Sequence, residues 1–380
     1  MKKAFLLLLL LPLLTGCWDR LDLKKLHLVD VNGFDIDEKN GEIDAFFLIT
    51  KLKATGQGNG EVTSEMKELK GASLAEAIGQ WEFSEQSPFI GISTRVYLIS
   101  ERFATKDPIS ELDFLLNAPY SSINAPLVVL EGDLSKVFET AMNSKNDQTK
   151  ELNEFILSME KNRTIPTVSM MNFIQSRDEP LTDLALPILK TKNSTLELSG
   201  ALLYRNGTST GKKLDKDQIK LLMLMKGESR GRNRFTGHWG RFTGNLNKKN
   251  DEKSNSDTAN NNNFGFTVKR NTSKLSVSKG SNKLPNININ VKLQVSTFEL
   301  GNEGHKLKPD YGRIEKEIRK YFEENALAAI NVMQSANSDV LSIGQELKAY
   351  HPKVWKSLNW RKDYPRMQIE PKFDIEIINK

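Results

Sequence analysis

The clearest hydrophobic pattern lies near the C-terminal end of the chain. In NININVKLQVSTFEL, Ile287, Ile289, Val291, Leu293 and Val295 fall on every second position, which predicts a strand with one buried face. FGFTVKRNTSKLSVSK, upstream, alternates in the same way, and KFDIEII predicts a closing strand. Between them, residues 312–334 switch to a helical period. Ile314, Ile318, Phe322, Leu327 and Ile330 predict its apolar stripe. The expected unit is a sheet covered on one face by a long helix, the most independently stable part of the chain.

The N-terminal half mixes hairpins with short helices. HLVDVNGFDID and EIDAFFLITKL flank EKNGE, whose Asn-Gly predicts a hairpin. In GASLAEAIGQWEFS, Ser73 and Glu76 have capping-box spacing, and Leu74, Ala77, Ile78 and Trp81 share a helical face. GISTRVYLISERFA predicts a strand, and Asp107-Pro108 opens the helix ISELDFLLN. APLVVLEG predicts a short buried strand, and Asp133 is placed to cap LSKVFETAM. The next helix is polar, with Leu152, Phe155, Ile156 and Met159 on one side. Pro166, Pro180 and Pro187 predict loops joined by short elements. LELSGALLYRNG then predicts a strand ending in a second Asn-Gly turn, and Asp215 and Gln218 frame the start of the helix DQIKLLMLMKG. Without a regular βαβ period, the fold class is α+β: mixed sheets and helices in three domains, with the C-terminal β-sheet packed on the long helix.

Composition sharpens the boundaries. NLNKKNDEKSNSDTANNNN, residues 245–263, has almost no apolar content and predicts a disordered insert. It separates a central hairpin-helix region, 196–244, from the C-terminal α+β domain, 264–380; an N-terminal α+β region, with room for a small intervening domain, spans 27–195. The net charge of +6 is spread among mixed Lys and Glu, which argues against nucleic acid as a partner. The most basic stretch is GESRGRNRFTGHWGRFTG. Its Arg230, Arg232, Arg234 and Arg241 could bind an anion, but no helix terminus frames a phosphate there, and an extended, solvated segment is the favoured reading.

The chain holds a single cysteine, Cys17, which excludes an intrachain disulfide. Before it come Lys2, Lys3, an apolar run over residues 5–14, and the small residues Thr15 and Gly16. That is the layout of a secretion signal, too short to span a bilayer. LTGC resembles a bacterial lipobox. The resemblance implies a signal peptide over residues 1–16, cleavage between Gly16 and Cys17, and a diacylglycerol on the thiol of Cys17. Two acyl chains suffice for stable anchoring to a lipid bilayer. Residues 17–26 would be the lipidated tether. Trp18 would lie at headgroup level or pack on the first hairpin, the two readings standing level.

No catalytic constellation appears. His27, His238, His305 and His351 are scattered, and no nucleophile elbow or metal-ligand spacing is present. GQGNGE lacks the Lys of a phosphate loop and ends on Glu61. A non-enzymatic protein with no cofactor or metal is expected.

Several stretches, in order, resemble the Ger(x)C family, the lipoprotein C subunits of spore nutrient germinant receptors. They are LTGCWDRLDLKKLHLVDVNGFDID with Trp18 and Asp19, KGASLAEAI, VYLISERFA, LSGALLYRNGTSTGKKLDKDQIKLLMLMKG, and SDVLSIGQELKAYHPKVWKSLNW. The last carries Asp339, Gly344, Pro352, Trp355 and Trp360, a motif for structure or partner contact. The resemblance implies a three-domain α+β body on the outer face of the cell or spore inner membrane, with two integral-membrane receptor subunits as partners and a role in nutrient-triggered germination. The alternative is a solute-binding lipoprotein of a transport system, which would normally show two α/β lobes.

Overall fold

The computed structural model describes residues 27–53, 61–84, 89–118, 121–143, 148–192, 195–229, 233–238, 263–280, 284–300 and 309–379. The Asn-rich insert lies outside them but for Asn263, as do Gly16, Cys17, Trp18 and Asp19.

The first sheet is built from β1 (His27–Ile36), β2 (Ile43–Lys53), β3 (Glu61–Gly71), β4 (Phe89–Ile90), β5 (Val96–Ser100), β6 (Leu127–Glu131), β7 (Leu184–Lys192), β8 (Thr195–Arg205) and β9 (Thr208–Asp215). Its order is β3-β2-β1-β5-β6-β7-β8-β9, with β4 beside the start of β1. The outer strands form antiparallel meanders, while β1, β5, β6 and β7 run parallel. Parallel strands covered on both faces carry continuous apolar runs. In β6, Leu127 and Val129 face one core while Val128 and Leu130 face the other. The first core takes Leu74, Ala77 and Trp81 around α1 (Leu74–Gly79) and α2 (Trp81–Ser84), Phe103 of α3 (Glu101–Thr105), Ile109 of α4 (Pro108–Leu112), and Phe173 of α7 (Met170–Gln175). The opposite core takes Leu134 and Phe138 of α5 (Leu134–Asn143) and Leu152 and Ile156 of α6 (Gln148–Lys161).

The second sheet, in order β10 (Arg234–His238), β11 (Asn263–Lys279), β12 (Pro285–Glu299) and β13 (Ile369–Ile377), is antiparallel except for the parallel β12–β13 pair. Its alternating face meets α9 (Tyr311–Ser335), where Phe322 lies against Phe235, Phe266 and Phe373. The mixed α+β architecture is as the sequence pattern predicts. Between the sheets sits α8 (Lys216–Met225), framed by an Asp215–Gln218 capping box. Ile219 and every residue from Leu221 to Met225 are buried, the signature of a helix enclosed on all sides. It joins Ala201, Leu203 and Leu214 of the first sheet to the core of the second.

Four local expectations change. Leu327 is 43% exposed, and Ala326 takes its place in the buried stripe. The spacing from Phe322 through Ala326 to Ile330 is a constant four residues, so a small residue completes the face that Leu327 misses. GISTRVYLISERFA is a strand only over Val96–Ser100; the Ser100 hydroxyl accepts the Phe103 amide and starts α3. Pro187 lies inside β7, but pairing with β6 begins at Ile188, so the missing N–H falls beyond the parallel ladder. Arg234 belongs to β10, an edge strand, because Phe235 beside it is buried under α9.

Candidate functional site

The C-terminal motif begins where α9 stops. Asn337 (φ 50°) and Ser342 (φ 60°) adopt left-handed backbone and bend the chain into α10 (Ile343–Tyr350). Ser342 makes no side-chain cap. Asp339 performs that task instead, its carboxylate accepting the Ile343 amide at 3.0 Å and the Gly344 amide at 2.7 Å. A carboxylate at these orphan amides satisfies donors that the helix leaves unpaired.

Gly344 is required by its neighbour. A Cβ there would sit 2.6 Å from Cε2 of Trp360, closer than packed atoms come. Trp360, on α12 (Trp360–Asp363), lies 5.7 Å from the ring of Trp355 and 5.2 Å from that of Tyr364. Pro352 is exposed and supplies the first turn of α11 (Pro352–Trp355). Asp339, Gly344, Trp355 and Trp360 therefore share one packed unit, and Pro352 stands at its edge.

Sequence reasoning missed the centre of this unit. Asp183, at the entry to β7, has a fully buried side chain. Arg361 grips it with Nη1 at 2.6 Å from Oδ2 and Nη2 at 2.9 Å from Oδ1, the bidentate geometry that suits guanidinium. The Asp339 amide donates to Asp183 Oδ2 at 2.6 Å, and the Asn206 amide to Oδ1 at 3.2 Å. Arg361 also donates to the Pro180 carbonyl, at 2.5 Å, and to Asn206 Oδ1. Asn206 and Gly207, at φ 48° and 72°, form the tight turn between β8 and β9, so that turn was legible while its role as an anchor was not. Ser338 donates to the Tyr204 carbonyl at 2.8 Å, and Tyr364 donates to the Ser338 carbonyl at 3.1 Å. Three remote segments are thus tied through one buried ion pair.

Electrostatics follow from burial. Desolvation pushes the Asp339 carboxyl up to about 7 against the pull of its two amide bonds; nearby Asp183 pushes the same way and Arg361 opposes. Burial, helped by the same two carboxylates, holds the Tyr364 hydroxyl well above its ordinary value. Both aspartates are committed to holding backbone and guanidinium, so the arrangement is a clasp. Among the described residues no group of three His, Cys, Asp or Glu side chains could hold a metal ion, and no helix is long and apolar enough to cross a membrane. Of the basic stretch, Arg230, Arg232 and Arg241 lie outside the described residues, and Arg234 stands over the Phe298 ring at 5.8 Å.

The clasp joins two parts that known proteins also contain. Residues 19–191 match the spore germination protein N-terminal domain, and residues 199–380 match the spore germination B3/GerAC-like C-terminal domain. The chain belongs to the Ger(x)C family. It is 22% identical to the spore germination protein GerQC of Bacillus cereus, over 99% of this chain and 98% of that one. It shares the fold of the GerBC crystal structure, with a TM-score of 0.57 and 14% identity over 94% of this chain and all of that one. This Ger(x)C protein thus has a role in spore germination. Asp183 and Arg361 fall one in each matched domain.

Proposed function

We propose that this Ger(x)C protein is a non-enzymatic, lipid-anchored subunit of a membrane germinant receptor, needed for nutrient-triggered germination. The observation that carries the reading is the succession of both family domains along nearly the whole chain. A lipobox-like LTGC just ahead of the first domain supports the anchor. Diacylglycerol on Cys17 would hold the body at the outer face of the spore inner membrane, beside two integral-membrane subunits. Confinement there raises the effective concentration of each for the other. The clasp fits this role, because a subunit that presents a surface to partners needs its two domains held in one orientation. Within the C-terminal motif, Pro352 and the partly exposed Trp355 are the residues open to a partner, whereas Asp339 and Trp360 are buried.

The test is genetic. Spores lacking the gene should lose the response to the cognate nutrient while a non-nutrient trigger still germinates them. Cys17→Ala should release the protein from the membrane fraction and reproduce the nutrient defect. Normal nutrient germination of the deletion strain, in a background without other receptors, would refute the proposal.

A further inference from the structure

The two ends of the C-terminal motif fold into the clasp, but its middle faces outward. At the corner where α10 meets α11, Tyr350 is 72% exposed and Trp355 is half-buried. Lys348, Lys353 and Lys356 around them are exposed, as is Lys362 beyond. No Asp or Glu occurs between Leu347 and Lys362. None of these lysines makes an ion pair among the described residues. An exposed tyrosine and a tryptophan among unpaired lysines suit a membrane–water interface. The rings settle at headgroup level, while lysine stems lie along apolar surface and their ammonium groups reach phosphate. Protein–protein interfaces favour arginine and are poor in lysine, and the exposed cations of this corner are all lysine.

The corner also stands where the chain would leave a bilayer. β1 and β7 run the same way, with β5 and β6 between them. Phe34 aligns with Ile99, Ile99 with Val129, and Val129 with Ile188. Asp183 is therefore about level with Val29, three strand spacings or about 14 Å across the sheet, at the end where His27 opens β1. Arg361 holds Asp183, and Trp360 beside it packs on Trp355. The corner and the start of β1 thus share one end of the sheet. Residues 17–26 span at most about 35 Å from a lipid on Cys17, which keeps that end of the body close to the headgroups.

We propose that the α10–α11 corner docks on an anionic lipid bilayer, with Lys348, Lys353 and Lys356 on headgroup phosphates and Tyr350 and Trp355 at headgroup level. The proposal rests on the lipid-anchored reading and adds a contact made by the folded body itself. That contact fixes which face of the clasped domains looks at the membrane. It is weak alone and is screened by salt.

The test uses the full lipoprotein reconstituted into vesicles of phosphatidylcholine alone, or of equal parts phosphatidylcholine and phosphatidylglycerol. Cys17 is the one cysteine of the chain and its thiol carries the lipid, so Ala349→Cys accepts a fluorescent label at the corner alone. Lys39→Cys, in the exposed turn at the far end of β1, is the control. In the anionic vesicles at low salt, the label at position 349 should be quenched by a headgroup-spin-labelled lipid and shielded from aqueous iodide, while the label at position 39 stays open to iodide. In phosphatidylcholine alone, or at high salt, both labels should lie in water. A lysine near an anionic surface is worth about fivefold, so Lys348→Gln, Lys353→Gln and Lys356→Gln together should lower the ratio of docked to undocked protein by about a hundredfold, with an unaltered circular dichroism spectrum. Flotation with the phosphatidylcholine vesicles reads the anchor separately, so a missing anchor and a missing docking contact give different results. A label at position 349 that stays open to iodide on anionic vesicles would overturn the proposal. So would shielding that is equal in both lipid mixtures, that survives the triple substitution, or that appears only when an integral-membrane subunit is added, which would make the corner a protein interface.

Discussion

Removing the Arg361 side chain tests the clasp directly. Arg361→Ala leaves Asp183 with the amides of Asn206 and Asp339 but no counter-charge, at a position where its side chain is fully buried. Breaking a buried pair from one side costs about 3–5 kcal/mol, because the remaining ion keeps its desolvation penalty. The lost bonds to the Pro180 carbonyl and Asn206 Oδ1 add to this. Guanidine unfolding of the full-length protein should show the loss directly, and the melting temperature should fall by about 6–20 °C, taking each matched domain as the cooperative unit. Two further variants isolate the cause. Arg361→Lys keeps a charge but loses the fork, and should fall between wild type and alanine. Asp183→Asn combined with Arg361→Ala should be more stable than Arg361→Ala alone, since no bare charge remains. If Arg361→Ala costs under about 1 kcal/mol, as exposed pairs do, or if the double variant is the less stable of the two, the pair does not hold the domains together.

Gly344→Ala would place a methyl 2.6 Å from the Trp360 ring; overpacking of about 1–3 kcal/mol, offset by up to about 1 kcal/mol of helix propensity, should appear as lower stability and an altered near-ultraviolet tryptophan signal, and adding Trp360→Phe should recover part of it. Asp339 has its folded-state value raised from an ordinary 3.8 to about 7, so the folded protein holds a proton that the unfolded chain releases. The stability this contributes is full below the lower value and is lost as pH rises through the upper one. Urea midpoints across that window should show a shallower decline in Asp339→Asn than in wild type, whatever its absolute stability. Phe322→Ala should cost about 3–5 kcal/mol and detach α9 from the second sheet, seen as faster amide exchange in β13.

What could be read from the chain follows from how far each signal reaches. The alternation of Ile287 to Val295 was legible because β12 has one buried face and one half-open face, so a period of two survives in the sequence. β6 gives only a short apolar run because both faces are buried, and its parallel partners cannot be named from it. Leu327 is the more hydrophobic residue but lies out of phase, and the small Ala326 holds the register that the core uses. The basic stretch shows the opposite case, where the surrounding charge masks Phe235, which ties β10 under α9. The clasp shows the firmest boundary. Asp339 reaches its amides four and five residues on, a spacing local enough to be read along the chain as an Asp-to-Gly motif. Asp183 and Arg361 are 178 residues apart, and neither carries a mark that distinguishes it from many other charged residues. Yet the motif residues and the unmarked pair are one object: the Asp339 amide bonds Asp183, and Trp360 precedes Arg361 on the same turn of helix. A motif legible along the chain is thus the visible edge of a contact legible only in three dimensions. Substitutions at Gly344 or Trp360 should then act partly through Arg361. In a double-mutant cycle, Trp360→Phe and Arg361→Lys should couple by about 0.5–3 kcal/mol, whereas independent roles would give simple additivity.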